Sequence, residues 1–434
     1  MVLVTPGFPT SLDDHHKPFL ADHARALAAA GADVTVVCPA HPDAPRHGEV
    51  GGIEVRRVRF APARVEARVA LGESYRVFSG LAALWVIPMI ALLVFAAARQ
   101  ARSRPQRTPN LAVSAGDTGT VASSGGSAGD AAVIHGHWWF PCGLAAVAAA
   151  AAVGRRAGSV VQVHGSDAAV TTNSIHRWLA RRVLRRASAV VTVSEDLQDW
   201  ATSLMRRPRG RGPQPTAEPA GRRSGPLLQV VSMPVGTDQL GAPTPAPADG
   251  PVIGIGRLMA EKGFDVLIEA MALMPTDERP ELVVVGDGPD HALLEALALR
   301  RGVSATFAGA VAPSEIGDWY RRARLVCVPS RREGFGMVVA EALAAGRPVV
   351  ATAVGAAPQF ITDGTNGRLV PPDDIEALST ALTAALQSDP DIPDQHTDPL
   401  AACSPQAHAT ALLEIYASVT APVSSDTAEH EQRP

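Results

Sequence analysis

Short β-branched runs and Ala/Leu-rich helical stretches alternate in two series along this chain. The series are separated by the Pro-rich segment Gly241-Ala-Pro-Thr-Pro-Ala-Pro-Ala-Asp-Gly250. Such alternation builds parallel sheets covered by helices on both faces. In the first series Val2–Thr5, Val34–Val37, Ile53–Phe60, Ala132–His137, Val160–Val163, Ala189–Val193 and Leu227–Met233 read as strands, with helical runs at Phe19–Ala30 and Leu144–Val153. The second series reads as strands at Val252–Ile255, Leu282–Val285, Ser304–Phe307, Leu325–Val328 and Pro348–Ala351. Its helices fall at Phe264–Met274, His291–Arg300 and Glu315–Ala323. The expected fold is α/β, two doubly wound domains with a ligand cleft between them. Expected bounds are 1–240 and 251–400, then a helix over 401–422 that could return to the first domain, and a flexible tail over 423–434. The Ser/Gly-rich stretch 101–130 and the Arg/Pro/Gly-rich stretch 206–225 read as disordered insertions.

The 434 residues carry 39 Lys+Arg and 43 Asp+Glu, a net charge of −4, which lacks the basic excess of a nucleic-acid binder. Cys38, Cys142, Cys327 and Cys403 lie far apart with no C-x-x-C pair. This excludes a zinc ribbon and a redox motif and fits a reducing cytosol. Met1–Thr5 reads as a strand, without the charged start and apolar core of a signal peptide. Gly80–Ala98 is uncharged and mostly apolar, and Arg99, Arg102, Arg104 and Arg107 follow it. It is close to the lower limit of a membrane span, about 17–25 residues. Three readings stay open: a helix packed on the first domain, a peripheral membrane contact through 80–107, and a span. The expected location is cytoplasmic, with peripheral contact on the inner membrane face under the second reading.

Three strand-end constellations carry chemistry. In Pro329-Ser-Arg-Arg-Glu-Gly-Phe-Gly-Met-Val-Val-Ala-Glu341 a strand ends, a Gly-containing loop follows and a helix opens near Gly336. Free backbone N–H groups and the helix dipole favour an anion there, and Gly334 and Gly336 allow close approach. Glu333 in the loop and Glu341 in the helix suit neighbouring hydroxyls on either side of a phosphate. In Gly254-Ile-Gly-Arg-Leu-Met-Ala-Glu-Lys-Gly263 two cations, Arg257 and Lys262, share a Gly-bounded loop at a strand's carboxyl end and suit a diphosphate. In Gln162-Val-His-Gly-Ser-Asp167 either the imidazole or the carbonyl of His164 could enter the cleft. Gly286-Asp287-Gly288-Pro289 reads mainly as a tight turn.

In these residues the sequence resembles glycosyltransferase family 4, retaining enzymes of GT-B fold, in which two Rossmann-like domains face a cleft. The resemblance rests on G-R-L-x-x-E-K-G, V-V-V-G-D-G-P, P-S-R-R-E-G-F-G-M-V-V-A-E-A-L-A-A-G-R-P-V-V-A-T and D-G-T-N-G-R-L-V-P-P in the second domain. In the first domain I-H-G-H-W-W-F-P-C-G-L-A-A and V-V-Q-V-H-G-S-D look like the branch that builds cell-surface polysaccharides and lipid-linked glycans. The resemblance implies a nucleotide-diphosphate sugar donor and a carbohydrate or lipid-linked acceptor. It implies that Arg257 and Lys262 bind the diphosphate and Glu341 the ribose. Glu333, with Gly334, Phe335, Gly336 and Met337, would hold the sugar, His164 would lie beside its reacting face, and Asp287 is a further donor-side candidate. His164, Arg257, Lys262 and Glu333 form the expected catalytic set. Many relatives carry a Gly-Gly loop after the first strand. That loop touches the donor phosphates in those relatives; here Gly7 is its remaining glycine and a donor-side candidate, and Asp13, Asp14, His15 and His16 follow it, which with His137 and Asp167 are candidates for acceptor contacts.

No metal is expected. His135 and His137 share one strand face and Cys142 is near, but a fourth ligand at ordinary spacing is lacking. Asp389-Pro-Asp391 lies in a Pro-rich late segment rather than at a strand end. Arg and Lys can neutralise a leaving group without a metal. Three rival readings remain: an epimerase or phosphorylase of the same fold, a non-catalytic nucleotide-sugar-binding membrane protein, and a dinucleotide oxidoreductase. The last is disfavoured because no G-x-G-x-x-G follows the first strand.

Overall fold

The structure, a computed structural model, describes residues 1–14, 16–70, 80–103, 131–154, 156–171, 173–206, 225–388 and 398–421. The expectations for His15, Arg104, Arg107, 104–130, 207–224, Asp389-Pro-Asp391 and 422–434 lie outside the described residues.

The first sheet contains β1 (Val2–Val4), β2 (Thr35–Pro39), β3 (His47–Val50), β4 (Ile53–Val58), β5 (Ala132–His137), β6 (Ala157–Val163), β7 (Ala189–Thr192) and β8 (Leu227–Val230). Their order is β3-β4-β2-β1-β5-β6-β7-β8. Neighbours run parallel except β3 and β4, an antiparallel hairpin. Its turn, Gly51-Gly52, has both φ angles positive, the backbone a tight hairpin demands. The second sheet contains β9 (Val252–Ile255), β10 (Leu282–Val285), β11 (Ala305–Gly309), β12 (Leu325–Val328), β13 (Val349–Thr352) and β14 (Gly367–Val370), all parallel. Their order is β11-β10-β9-β12-β13-β14. The chain reverses direction between β1 and β5 in one sheet and between β9 and β12 in the other. Loops leaving the carboxyl ends at such points diverge and open a crevice. The loops after β1, β6, β9 and β12 carry most of the residues picked out above.

Central strands are buried on both faces, which explains their unbroken Val/Ile runs. The apolar stretch after residue 80 forms a helix, Val86–Ser103. Met89, Leu93 and Ala97 on one face are buried against Val2, Val4, Val37 and Ile134. Buried Gln100 donates to Thr35 Oγ1 at 3.1 Å. The helix is thus a layer of the first domain, although its length and composition alone would fit a span. Its opposite face leaves Ile87 75% and Phe95 64% exposed, and Leu84 in the turn before it is 70% exposed.

The Pro-rich segment between the sheets is pinned rather than loose. The fully buried guanidinium of Arg347 donates to the carbonyls of Thr244, Pro245 and Ala323. The last helix, Pro405–Thr420, buries Leu412, Leu413 and Tyr416 with Leu3, Leu20 and Leu27 of the first domain. An apolar cluster joins the two halves, running from Trp139 and Val183 through Leu240 to Ile253, Phe335 and Val339.

Candidate active site

The wall contributed by the second sheet is built from ions. Lys262, in the loop after β9, donates from Nζ to Glu333 Oε1 at 2.6 Å, and Ser330 Oγ donates to the same oxygen at 2.8 Å. Gly263 lets the two loops touch, because a Cβ there would come within 2.0 Å of the Pro329 carbonyl oxygen. Arg257 is exposed. Further on, Tyr320 donates its hydroxyl hydrogen to Glu341 Oε2 at 2.7 Å. Partial burial pushes the Glu341 carboxyl above the usual range, the Tyr320 bond opposes this, and Asp22 of the first domain adds to it. Gly336 caps the helix Met337–Ala344 in the left-handed conformation that a Cβ disfavours. Phe335 is buried, edge-on to Phe360, so only its backbone is offered to the cleft. Asp287 braces its own turn, accepting from the Gly288 N–H at 2.7 Å and contacting His291 at 3.1 Å.

The facing wall is built from rings. His164 packs on Trp138 with centroids 4.5 Å apart and on Phe19 at 5.6 Å. Its Nε2 shares a proton with His137 Nδ1 at 2.9 Å. Burial pushes the His164 pKa down to about 3, so the ring is neutral. Its carbonyl rather than its ring meets the other domain. A Cβ on Gly334 would lie 1.9 Å from the His164 oxygen, and one on Gly165 would lie 2.5 Å from the Gly334 Cα. The expected access for a ligand at Gly334 is therefore used by the protein, whose two loops interlock there.

Two expected acceptor contacts are corrected. His137 is fully buried behind His164. Asp167 is also buried, and its carboxylate accepts from the backbone N–H groups of Trp139 at 2.7 Å and His164 at 2.6 Å. Burial raises its pKa to about 7 against the pull of those bonds. Asp167 shapes the loop that presents the His164 carbonyl. Gly7, Asp14 and His16, by contrast, line an open hollow with Phe8, Lys17, Pro39 and His41. Asp14 is held by Thr10 and His16; burial alone would raise its pKa, but those hydrogen bonds bring it below the usual value. Asp13 accepts from Ser314 Oγ of the second domain at 2.9 Å.

Lys17 is the residue that motif reading passed over. It begins the helix Pro18–Ala29 with φ 60°, on the same hollow as Gly7. Burial lowers its pKa, and the positive charge of Arg257 lowers it further. A cation from the first domain therefore faces one from the second. One sequence signal did exist: Lys17 and Lys262 are the chain's two lysines, and every other basic chain is an arginine or a histidine.

Two α/β domains, each on a largely parallel sheet with its loops at a shared crevice, give the GT-B class of fold. The chain belongs to the group 1 and family 4-like glycosyltransferases. The profile described as glycosyl transferase 4-like domain matches residues 17–212, and that described as glycosyl transferases group 1 matches residues 251–388. A D-inositol 3-phosphate glycosyltransferase of Kribbella flavida is 42% identical over 149 residues, 31% of this chain and 35% of that protein. An alpha-D-kanosaminyltransferase of Streptomyces kanamyceticus is 32% identical over 236 residues, 51% of this chain and 56% of that protein. These alignments thus span only about a third to a half of the relatives' lengths. The solved structure of Anabaena HepE in complex with UDP and glucose superposes with a TM-score of 0.59 at 18% identity, covering 96% of this chain and 95% of that one.

Proposed function

We propose that this chain transfers a sugar from a nucleotide-diphosphate donor to a hydroxyl of a carbohydrate or other polyhydroxylated acceptor, with retention at the anomeric carbon. The observation that carries the reading is the Lys262–Glu333 pair at the carboxyl ends of the second sheet, with Arg257 in the same loop as Lys262 and near enough to Lys17 of the first domain for the two charges to interact. As the bond from the anomeric carbon to the diphosphate breaks, negative charge grows on the departing phosphate oxygen. In this reading Lys17, Arg257, Lys262 and the N–H groups of the helix opening at Gly336 stabilise it. The acceptor oxygen bonds the anomeric carbon from the face the diphosphate leaves, and its proton passes to the departing phosphate. A neutral His164 takes no charge in that step and fills the wall beside the sugar. Glu341, with one oxygen free of Tyr320, suits the ribose hydroxyls. The HepE complex with UDP and glucose supports the donor class by analogy of fold.

The exposed Leu84, Ile87 and Phe95 face, followed by exposed Arg99 and Arg102, supports a second element of the proposal: docking on an anionic membrane surface that holds a lipid-linked acceptor. The deciding experiment is a thermal-shift screen of UDP-, GDP- and ADP-sugars, then NMR of the product's anomeric proton. A raised midpoint with one donor, and a product of unchanged anomeric configuration, is expected. Epimerised donor without acceptor would favour the rival epimerase, and no shift with any donor would overturn the reading.

A further inference from the structure

Behind the ring wall lies a group of imidazoles that the transfer reaction does not use. His23 comes from the helix Pro18–Ala29, and His135 and His137 from β5. All three are fully buried, and one ring nitrogen of each lies within 4.8 Å of the other two. Every Nδ1 is engaged: His135 with the Tyr416 hydroxyl at 2.7 Å, His23 with His408 Nε2 at 2.9 Å, His137 with His164 Nε2 at 2.9 Å. Every Nε2 is buried without a hydrogen-bond partner among the described residues.

The proton positions on His23 follow from its neighbours. His408 Nδ1 lies 2.6 Å from the Ser232 carbonyl oxygen, which only accepts, so that nitrogen carries the hydrogen. In a neutral His408 the Nε2 is then the acceptor. His23 Nδ1 must then donate, and in a neutral ring that leaves His23 Nε2 a bare lone pair. His135 and His137, each with Nδ1 engaged and Nε2 unpartnered, can likewise present a lone pair. A buried acceptor with no donor is costly, and here three such rings are neighbours.

We propose that His23, His135 and His137 bind one late first-row transition-metal ion through their Nε2 atoms, with zinc as the expected occupant. Neutral imidazoles suit zinc, copper or nickel, and the set offers no carboxylate for calcium or magnesium. Closing to the Zn–N distance of about 2.0–2.1 Å needs the rings to draw together and the stacked His135 and His137 rings, 4.7 Å apart, to tilt toward a common point, and it leaves the fourth position to water. Tyr416, His408 and His164 already hold the opposite ring nitrogens, the arrangement that orients ligating histidines. Such an ion would tie the helix that begins at Lys17 to β5 and, through His408 and Tyr416, to the last helix. Cys142, the partner that spacing along the chain points to, packs instead with Val2 and Ile134 in the cluster under the Val86–Ser103 helix.

The test uses the full chain without a polyhistidine tag. Metal content after gel filtration is expected to be close to one zinc per chain, lost after chelation. Zinc chloride added to the chelated protein should raise its thermal midpoint by several degrees, saturating at one equivalent. Cobalt in its place should show the visible absorption of a tetrahedral site. His23→Gln and His137→Gln should each abolish stoichiometric binding, with circular dichroism reporting whether they fold. No metal above background in the wild-type chain, with no midpoint shift on adding zinc, cobalt, nickel or copper, would overturn the proposal. Full zinc occupancy in a folded His23→Gln chain would overturn it equally.

Discussion

The two walls of the cleft solve opposite problems with the same scaffold. Both are loops at the carboxyl ends of a parallel sheet. The second-domain wall keeps its charges near water and pairs them, Lys262 with Glu333. The first-domain wall hides its titratable groups: His23, His135, His137 and Asp167 are fully buried, and their charges are suppressed. One wall therefore supplies electrostatics and the other supplies shape. Lys17 is the exception that joins them, a first-domain cation near enough to Arg257 to feel its charge.

Removing charge from the ionic wall should have the largest effect. Lys262→Ala is expected to lower turnover by about 10²–10³-fold, the scale of one lost electrostatic contact at a reacting centre, while the thermal midpoint stays near wild type. Lys17→Ala should act in the same direction. Near-normal turnover in both would break the contrast between the walls. Gly334→Ala attacks the place where they interlock. With no room beside the His164 carbonyl, the loops must part, and kcat/KM should fall about 10²-fold through misplacement alone. Small-angle scattering should then report a more open molecule.

Stability offers a finer probe. Arg347→Met leaves the carbonyls of Thr244, Pro245 and Ala323 without their donor, at about 1–3 kcal/mol for each one that water cannot reach. Urea unfolding would read the loss, and an unchanged midpoint would mean the interdomain segment is not held by this contact. Acid should act on the ring wall. His164 and His135 titrate at about 3 and His408 at about 4 in the folded chain, because of burial, and His23 and His137 are also lowered. In the unfolded chain they take protons near pH 6.5. Between about 6.5 and about 4 the unfolded state binds more protons, so stability falls as pH falls through that window. Asp167, raised to about 7, and Asp22 and Glu341, also raised by burial, oppose this, three carboxyls against five rings. Urea midpoints that stay level from pH 7 to pH 5 would contradict the buried ring wall. The smallest effect is expected at the surface. Ile87→Glu and Phe95→Glu should each weaken sedimentation with anionic vesicles about tenfold, as loss of one buried apolar chain implies. Neither should shift stability by more than about 0.5 kcal/mol.

Much of the ionic wall was legible because it is local. Arg257 and Lys262 lie five positions apart in one loop, and Glu333 and Glu341 share one loop and helix. Glycine-bounded strand ends announce such loops, and they sit where the chain reverses direction in the sheet. The strand hairpin β3–β4 was missed in half, since His47-Gly-Glu-Val50 is too short and polar to alternate clearly. His137 and Asp167 were read as facing an acceptor because strand-end position does not reveal which side of a loop a chain occupies. Lys17 was overlooked because its partner is 240 positions away.

The amino-acid order alone determined the two α/β series, their parallel sheets and the placing of glycines and charges at strand ends, because these follow from periodicity and from backbone sterics over a few residues. Tertiary structure alone decided which groups meet. It set Lys17 against Arg257, locked Gly334 under the His164 carbonyl, and gathered His23, His135 and His137 around one buried point. Those contacts join residues from separate elements, and burial, a property of the whole packed chain, is what strips their rings of charge.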